Sequence, residues 1–271
     1  MQHIKRWITS LVLGPLVIAV LVWGGITGLA AVVCAVAVAA MREFLRIMCK
    51  CPEDSGMQIL KMISYAACLA LVMLACLGSW KLEFFILIAN MLALSVFTLW
   101  RFPQHNDITG LAAKQVFGIV YIPVSLSVLV FIRQMEGGQF WIIWLLIVTF
   151  INDTGAFYTG TFLGRNRLAP HISPNKTIEG SLGGLLSAMT AGFVFSLIFF
   201  HDLNLALITI PGACLMAVAG QIGDLFESAM KRAIHLKDSG HILPGHGGML
   251  DRIDGLLFAV PVLYIFLAAV L

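Results

Sequence analysis

Nine runs of apolar residues, each near the length that carries a helix across a bilayer, take up most of this 271-residue chain. They fall at about 7–23, 25–41, 60–79, 82–100, 116–132, 139–159, 181–200, 205–223 and 255–271. Backbone N–H and C=O groups in hydrocarbon must bond within their own segment, and no run alternates as a barrel strand does, so helices are the form expected. Composition agrees. Hydrophobic residues make up 60% and charged residues 11%, where a soluble domain carries about 25% charged residues. The predicted fold class is all-α: a polytopic integral membrane protein of about nine transmembrane helices. No polar stretch is long enough for a soluble domain. The net charge of +3 is small, and no nucleic-acid partner is expected.

Lysine and arginine set the orientation, because they accumulate on the cytoplasmic side of short loops. With the N-terminus in the cytoplasm, 15 of the 17 basic residues lie on that side and only Lys81 and Arg133 lie opposite. The polar connections are 42–59, 101–115, 160–180 and 224–254. Residues 1–138 carry no clustered reactive groups and read as an N-terminal transmembrane scaffold. Residues 139–271 concentrate Asp, Lys, His and Gly in the loops 160–180 and 224–254, and read as the catalytic region. The six cysteines form no zinc-spaced pattern. Small residues such as Gly183 and Gly184 suit close helix packing, within one chain or between two copies in a homodimer.

The densest chemistry runs from Ser228 to Asp254. Asp251 and Asp254 are spaced i, i+3, so a helix would project both carboxylates from one face, at the start of the last span where a helix N-terminus favours anions. Asp224 closes the preceding span. Three carboxylates meeting at a membrane boundary repel one another unless a cation binds, and hard oxygen donors suit magnesium over zinc, with a second cation as an option. The plainer alternative is a solvated loop in which these acids pair with Lys231, Arg232, Lys237 and Arg252. Pro244-Gly245-His246-Gly247-Gly248 favours the chemical reading, since glycines let the backbone approach a ligand and offer N–H groups to phosphate oxygens. Metal, lysine and arginine together are what a nucleoside triphosphate requires.

A second segment runs from Asn152 to Gly180. Asn152 and Asp153 lie late in a span, where an acid is costly; Asp153 reads as functional or as the partner of a base on a neighbouring helix. Ser173-Pro174-Asn175-Lys176-Thr177 reads as a helix start with Glu179 as capping acid, which leaves Lys176 able to contact phosphate.

These two segments resemble the bacterial phosphatidate cytidylyltransferases, the CDP-diacylglycerol synthases. Ser228 to Asp254 is similar to that family's S-x-x-K-R-x-x-x-x-K-D-x-x-x-x-x-P-G-H-G-G-x-x-D-R-x-D pattern at every fixed position, and S-P-x-K-T-x-E-G is intact from Ser173 to Gly180. Arg165 and Arg167 stand where relatives often carry lysine; both remain cationic. The resemblance implies the reaction of CTP with phosphatidic acid to give CDP-diacylglycerol and pyrophosphate, in the bacterial inner membrane, with the active site facing the cytoplasm. It implies that Asp224, Asp251 and Asp254 hold magnesium, and that Lys231 and Arg232 act with them on the reacting phosphates. Ser173, Lys176, Lys237, Arg252, Gly247 and Gly248 would contact nucleotide or headgroup, and His246 is the candidate for handling a proton. A CTP-dependent kinase of a lipid alcohol has a similar architecture and is the alternative. A transporter fits less well, because the acids crowd one face instead of lying at mid-membrane.

Overall fold

A computed structural model of the chain describes residues 14–15, 17–48, 55–102, 107–234, 240 and 247–270. Eight helices among them are long and apolar enough to cross a membrane. The protein is a multi-pass, all-α membrane protein. The expected first span lies largely outside the described residues, although 17–23 are helical. The chain divides into two compact units. One comprises Met1–Gln134 with Asp238–Leu250, the other Met135–Lys237 with Asp251–Leu271.

In the first unit, α1 (Gly25–Met48), α2 (Ser55–Ala75) and α3 (Trp80–Arg101) are followed by α4 (Ile108–Ile119), a π-helical turn at Val120–Val124 and α5 (Ser125–Gln134). Pro123 lies inside the π-helical turn, where its missing N–H would break a regular helical ladder. The expected end of α1 at residue 41 is corrected to Met48. Arg42 and Arg46 are exposed while Met41, Phe44, Leu45 and Ile47 are buried, so the amphipathic period continues past the apolar run. Phe44 packs beside Phe117 and Tyr121, with ring centroids 5.8 and 6.4 Å away. Between α3 and α4, Asn90 and Gln115 exchange hydrogen bonds of 3.2 and 3.0 Å in a buried place, each amide satisfying the other where no water could. Glu43 is also buried, and one of its carboxylate oxygens accepts the backbone N–H of Leu250 at 2.9 Å.

In the second unit, α6 (Gly138–Leu163) leads into a hairpin of β1 (Arg167–Ala169) and β2 (Ser173–Thr177), then α7 (Ile178–Phe200), α8 (Leu203–Ala233) and α9 (Leu250–Val270), of which Leu250 itself belongs to the first unit. Helix α7 lies between α6 and α8. Its contact with α6 depends on small residues: a Cβ at Gly184 would meet the Asn152 carbonyl oxygen at 2.7 Å, and one at Gly180 the Ala156 carbonyl oxygen at 2.8 Å. The Trp144 indole N–H donates to the Gly192 carbonyl at 2.9 Å across the same interface. The close packing expected at Gly183 and Gly184 is thus present within one chain.

Two expected loops are shorter than the apolar runs suggest. Residues 160–180 hold the end of α6, the hairpin and the start of α7. The loop at 224–254 is corrected at both ends, because α8 continues to Ala233 and α9 begins at Leu250. Helix α8 has 31 residues, roughly 46 Å at about 1.5 Å per residue, against a hydrocarbon core of roughly 30 Å. Its last three turns therefore extend past the part a bilayer needs. They are built from helix formers such as Leu225, Met230 and Ala233. Lys231 and Arg232 close the last turn, where the helix dipole favours cations.

Candidate active site

The extension of α8 explains how the acids come together. Asp224, Glu227 and Lys231 recur at i, i+3 and i+7, so they share one face of the helix. Lys231 Nζ donates to Glu227 Oε2 at 3.0 Å and to Asp251 Oδ1, in the first turn of α9, at 2.7 Å. All three groups are largely buried, with side-chain exposures of 13% for Lys231, 1% for Glu227 and 10% for Asp251. At 2.7 Å the attraction is about 6 kcal/mol for an effective dielectric of about 20, offset by the cost of taking both charges out of water. One ammonium thus serves two carboxylates on two helices.

Asp224 takes a different cation. It pairs with Lys176 of β2, and the charges of Asp153 and Asp254 reach it as well. Helices α8 and α9 approach closely enough for this because both are bare at the crossing. A Cβ on Gly223 would meet the Asp254 carbonyl oxygen at 2.5 Å. Asp251 and Asp254 belong to the first turns of α9, as their spacing predicts, and the backbone N–H of Gly255 donates to Asp254 Oδ1 at 2.8 Å. Asp224, Asp251 and Asp254 are therefore neighbours at one end of the unit. Among the described residues, however, no three His, Cys, Asp or Glu side chains already converge on one point; lysine ammonium groups stand between them.

The hairpin brings further predicted residues to that end. Ser173 opens β2 in register with Ala169, and Arg167 pairs with Thr177. The Arg232 guanidinium Nε–H donates to the Ile172 carbonyl at 3.3 Å, tying the tip of the hairpin to the end of α8. The expected helix start at Ser173 is corrected: Thr177 is the N-cap of α7 and its hydroxyl oxygen accepts from Gly180 N–H at 3.1 Å. Glu179 does not cap that helix. Its carboxylate accepts the backbone N–H groups of Arg165 at 3.1 Å and Asn166 at 3.2 Å, and the Asn166 side-chain amide at 2.8 Å, pinning the strand that leaves α6. Arg252 is exposed on α9. Gly247 adopts φ +85°, a backbone conformation that favours glycine, and Gly248 is buried beside it; both belong to the first unit. Lys237 and His246 lie outside the described residues.

Sequence reasoning missed two features. Glu227 is one; its spacing to Asp224 and Lys231 was a usable signal, but ending the span at residue 223 placed it in a loop. The other is a polar junction of three helices beneath the carboxylates. Gln221 Nε2 donates to Asn152 Oδ1 at 2.9 Å and to the Ser181 carbonyl at 3.1 Å, the Ser181 hydroxyl donates to Gln221 Oε1, and Asn152 Nδ2 donates to Asp153 Oδ1 at 3.2 Å. Gln221 spends its amide on α6 and α7 and so fixes the three helices around the site.

A family model described as "Cytidylyltransferase family" matches residues 4–270. This chain belongs to the cytidylyltransferase family. Among relatives, the phosphatidate cytidylyltransferase of Bacillus subtilis (strain 168) is 42% identical over 153 residues, which is 55% of this chain and 55% of that protein. The phosphatidate cytidylyltransferase of Staphylococcus haemolyticus is 41% identical over 145 residues, 53% of this chain and 55% of its own length. That of Staphylococcus saprophyticus is 40% identical over 157 residues, 58% and 59% respectively. The chain spans about half the length of the relatives it matches. In this cytidylyltransferase-family chain, Lys176 and Lys231 each pair with a carboxylate at one end of the second unit.

Proposed function

We propose that this chain transfers the CMP part of CTP to phosphatidic acid, giving CDP-diacylglycerol and pyrophosphate for phospholipid synthesis. One observation carries the reading: Asp224, Asp251 and Asp254 meet Lys176 and Lys231 at the end of helices that cross the membrane. A phosphate oxygen of phosphatidate attacks the α-phosphorus of CTP. The new P–O bond forms as the bond from the α-phosphorus to the bridging oxygen breaks, and pyrophosphate leaves with that electron pair. Two polyanions must approach, so the task is charge neutralisation and alignment. Because phosphatidate is already ionised near neutrality, no strong base is demanded, and His246 is proposed only to shape the glycine turn or relay a proton.

The donor set suits magnesium: carboxylate oxygens throughout, with the Glu227 carboxyl group facing Asp254 beside them. Asp224, Asp251 and Asp254 would hold the ion, which when bound offsets phosphate charge as a Lewis acid. Lys176 and Lys231 turn to phosphate oxygens, joined by Lys237 and Arg252. Arg232 holds the hairpin that carries Ser173 and Lys176 toward nucleotide. A lipid substrate explains the location. Its acyl chains stay in the cytoplasmic membrane while its headgroup reaches the boundary, and CTP arrives from the cytosol.

Purified protein in vesicles with Mg²⁺, CTP and phosphatidate is expected to release pyrophosphate, and Asp251→Asn to lower the rate by about 10²-fold or more, the scale of removing one group that stabilises transition-state charge. Release of CDP with a phosphorylated lipid alcohol would instead identify a kinase. Near-normal turnover by a folded Asp251→Asn protein would overturn the assignment of that carboxylate.

A further inference from the structure

We infer that Glu227 is a positioning residue: it tethers Lys231 beside Asp251, so that Lys231 can release Asp251 to a divalent cation without being left as an unpaired buried charge. The inference rests on the function proposed above, and its observations are geometric. Lys231 Nζ lies 2.7 Å from Asp251 Oδ1 and 3.0 Å from Glu227 Oε2. The Glu227 side chain is 1% exposed, and its carboxyl group also faces that of Asp254. Glu227 and Lys231 are four residues apart on α8, so their contact is internal to one helix. Asp251 belongs to α9.

The two halves of this bridge therefore play different parts. The link within α8 survives whatever happens at α9, whereas the link to Asp251 is the one a cation must replace. An ammonium group and a divalent cation compete for the same carboxylate, because the two positive charges repel each other at that separation. When Asp251 turns to a cation, Lys231 retains Glu227 as counterion and stays at the site with hydrogens free for a phosphate oxygen. Without the Glu227 charge, the same exchange would strand an ammonium group in a buried place, which is strongly unfavourable. Lys231 would then hold Asp251 more stubbornly and compete with the cation.

The test is a double-mutant cycle on the full chain in detergent, reading Mn²⁺ binding by electron paramagnetic resonance with no nucleotide or lipid present. Glu227→Gln keeps the shape and removes the charge; Lys231→Met keeps the length and removes the ammonium. Lys231→Met is expected to change Mn²⁺ affinity by less than about 3-fold when Glu227 is present, and to tighten it by about 10-fold or more in the Glu227→Gln background. Glu227→Asp, tested for rescue, should recover most of the affinity lost in Glu227→Gln. Equal effects of Lys231→Met in both backgrounds would mean that the two charges act independently, and the inference would fail. So would a double variant that binds Mn²⁺ no better than Glu227→Gln alone, since Glu227 would then act as a direct ligand. The wild-type pyrophosphate assay separates this from the broader reading: turnover combined with an additive cycle overturns only the role of Glu227.

Discussion

At the scale of single residues, polar side chains of the second unit hold its elements in place. Thr177 caps α7, Glu179 pins the backbone of Arg165 and Asn166, Arg232 holds the hairpin tip and Lys231 joins α8 to α9. Thr177→Ala is expected to cost about 1 kcal/mol, as loss of an N-cap does, and to lower the thermal midpoint in detergent without moving the KM for CTP. Glu179→Ala removes the acceptors of two backbone N–H groups, and faster proteolysis between 164 and 172 should report it; an unchanged cleavage rate would show that the strand is held by other contacts. Asp251 and Asp254 were legible in the sequence because an i, i+3 spacing survives any error in helix ends. Glu227 was not, because its meaning depends on whether the chain there is helix or loop.

At the scale of elements, the difference between expectation and structure has one physical source. An apolar run stops at the first charged residue, but a helix stops only when its backbone finds another partner. Both α1 and α8 continue as amphipathic helices beyond the bilayer-length segment, and α9 starts before its apolar run with two aspartates in its first turns. The β1–β2 hairpin left no signal, because strands of three and five residues are too short to show an alternating pattern. The close packing expected at Gly183 and Gly184 is present, since such packing needs only the absence of a side chain. That makes a sharp comparison available. A Cβ at Gly223 would strike the Asp254 carbonyl oxygen at 2.5 Å, whereas one at Gly220 would sit 3.7 Å from the Gly255 carbonyl oxygen. Gly223→Ala is expected to destabilise the protein by about 1–3 kcal/mol through overpacking and to reduce turnover by separating Asp224 from Asp254. Gly220→Ala should be tolerated on both counts. Equal thermal midpoints for the two variants would contradict the described crossing.

At the scale of the whole molecule, the all-α membrane architecture followed from run lengths alone, and the family was legible from motifs covering about a fifth of the chain. The meeting of Asp224 with Asp251 and Asp254 was expected from the sequence, but the pairing of Asp224 with Lys176 of the hairpin was not, because it depends on how the elements pack and not on their order. The charge asymmetry gives a direct test of orientation. In a variant lacking native cysteines, Arg165→Cys is expected to react with an impermeant maleimide from the cytosolic face and Lys81→Cys from the opposite face, and the reverse pattern would invert the topology. The length of α8 has a further result. A rod roughly 46 Å long that spans the lipid and also carries Asp224, Glu227 and Lys231 ties the height of those groups to the thickness of the surrounding membrane. Thinner or thicker bilayers should therefore tilt the rod and retune the reaction, so that turnover in vesicles passes through an optimum in host-lipid chain length even when the phosphatidate supplied is kept the same.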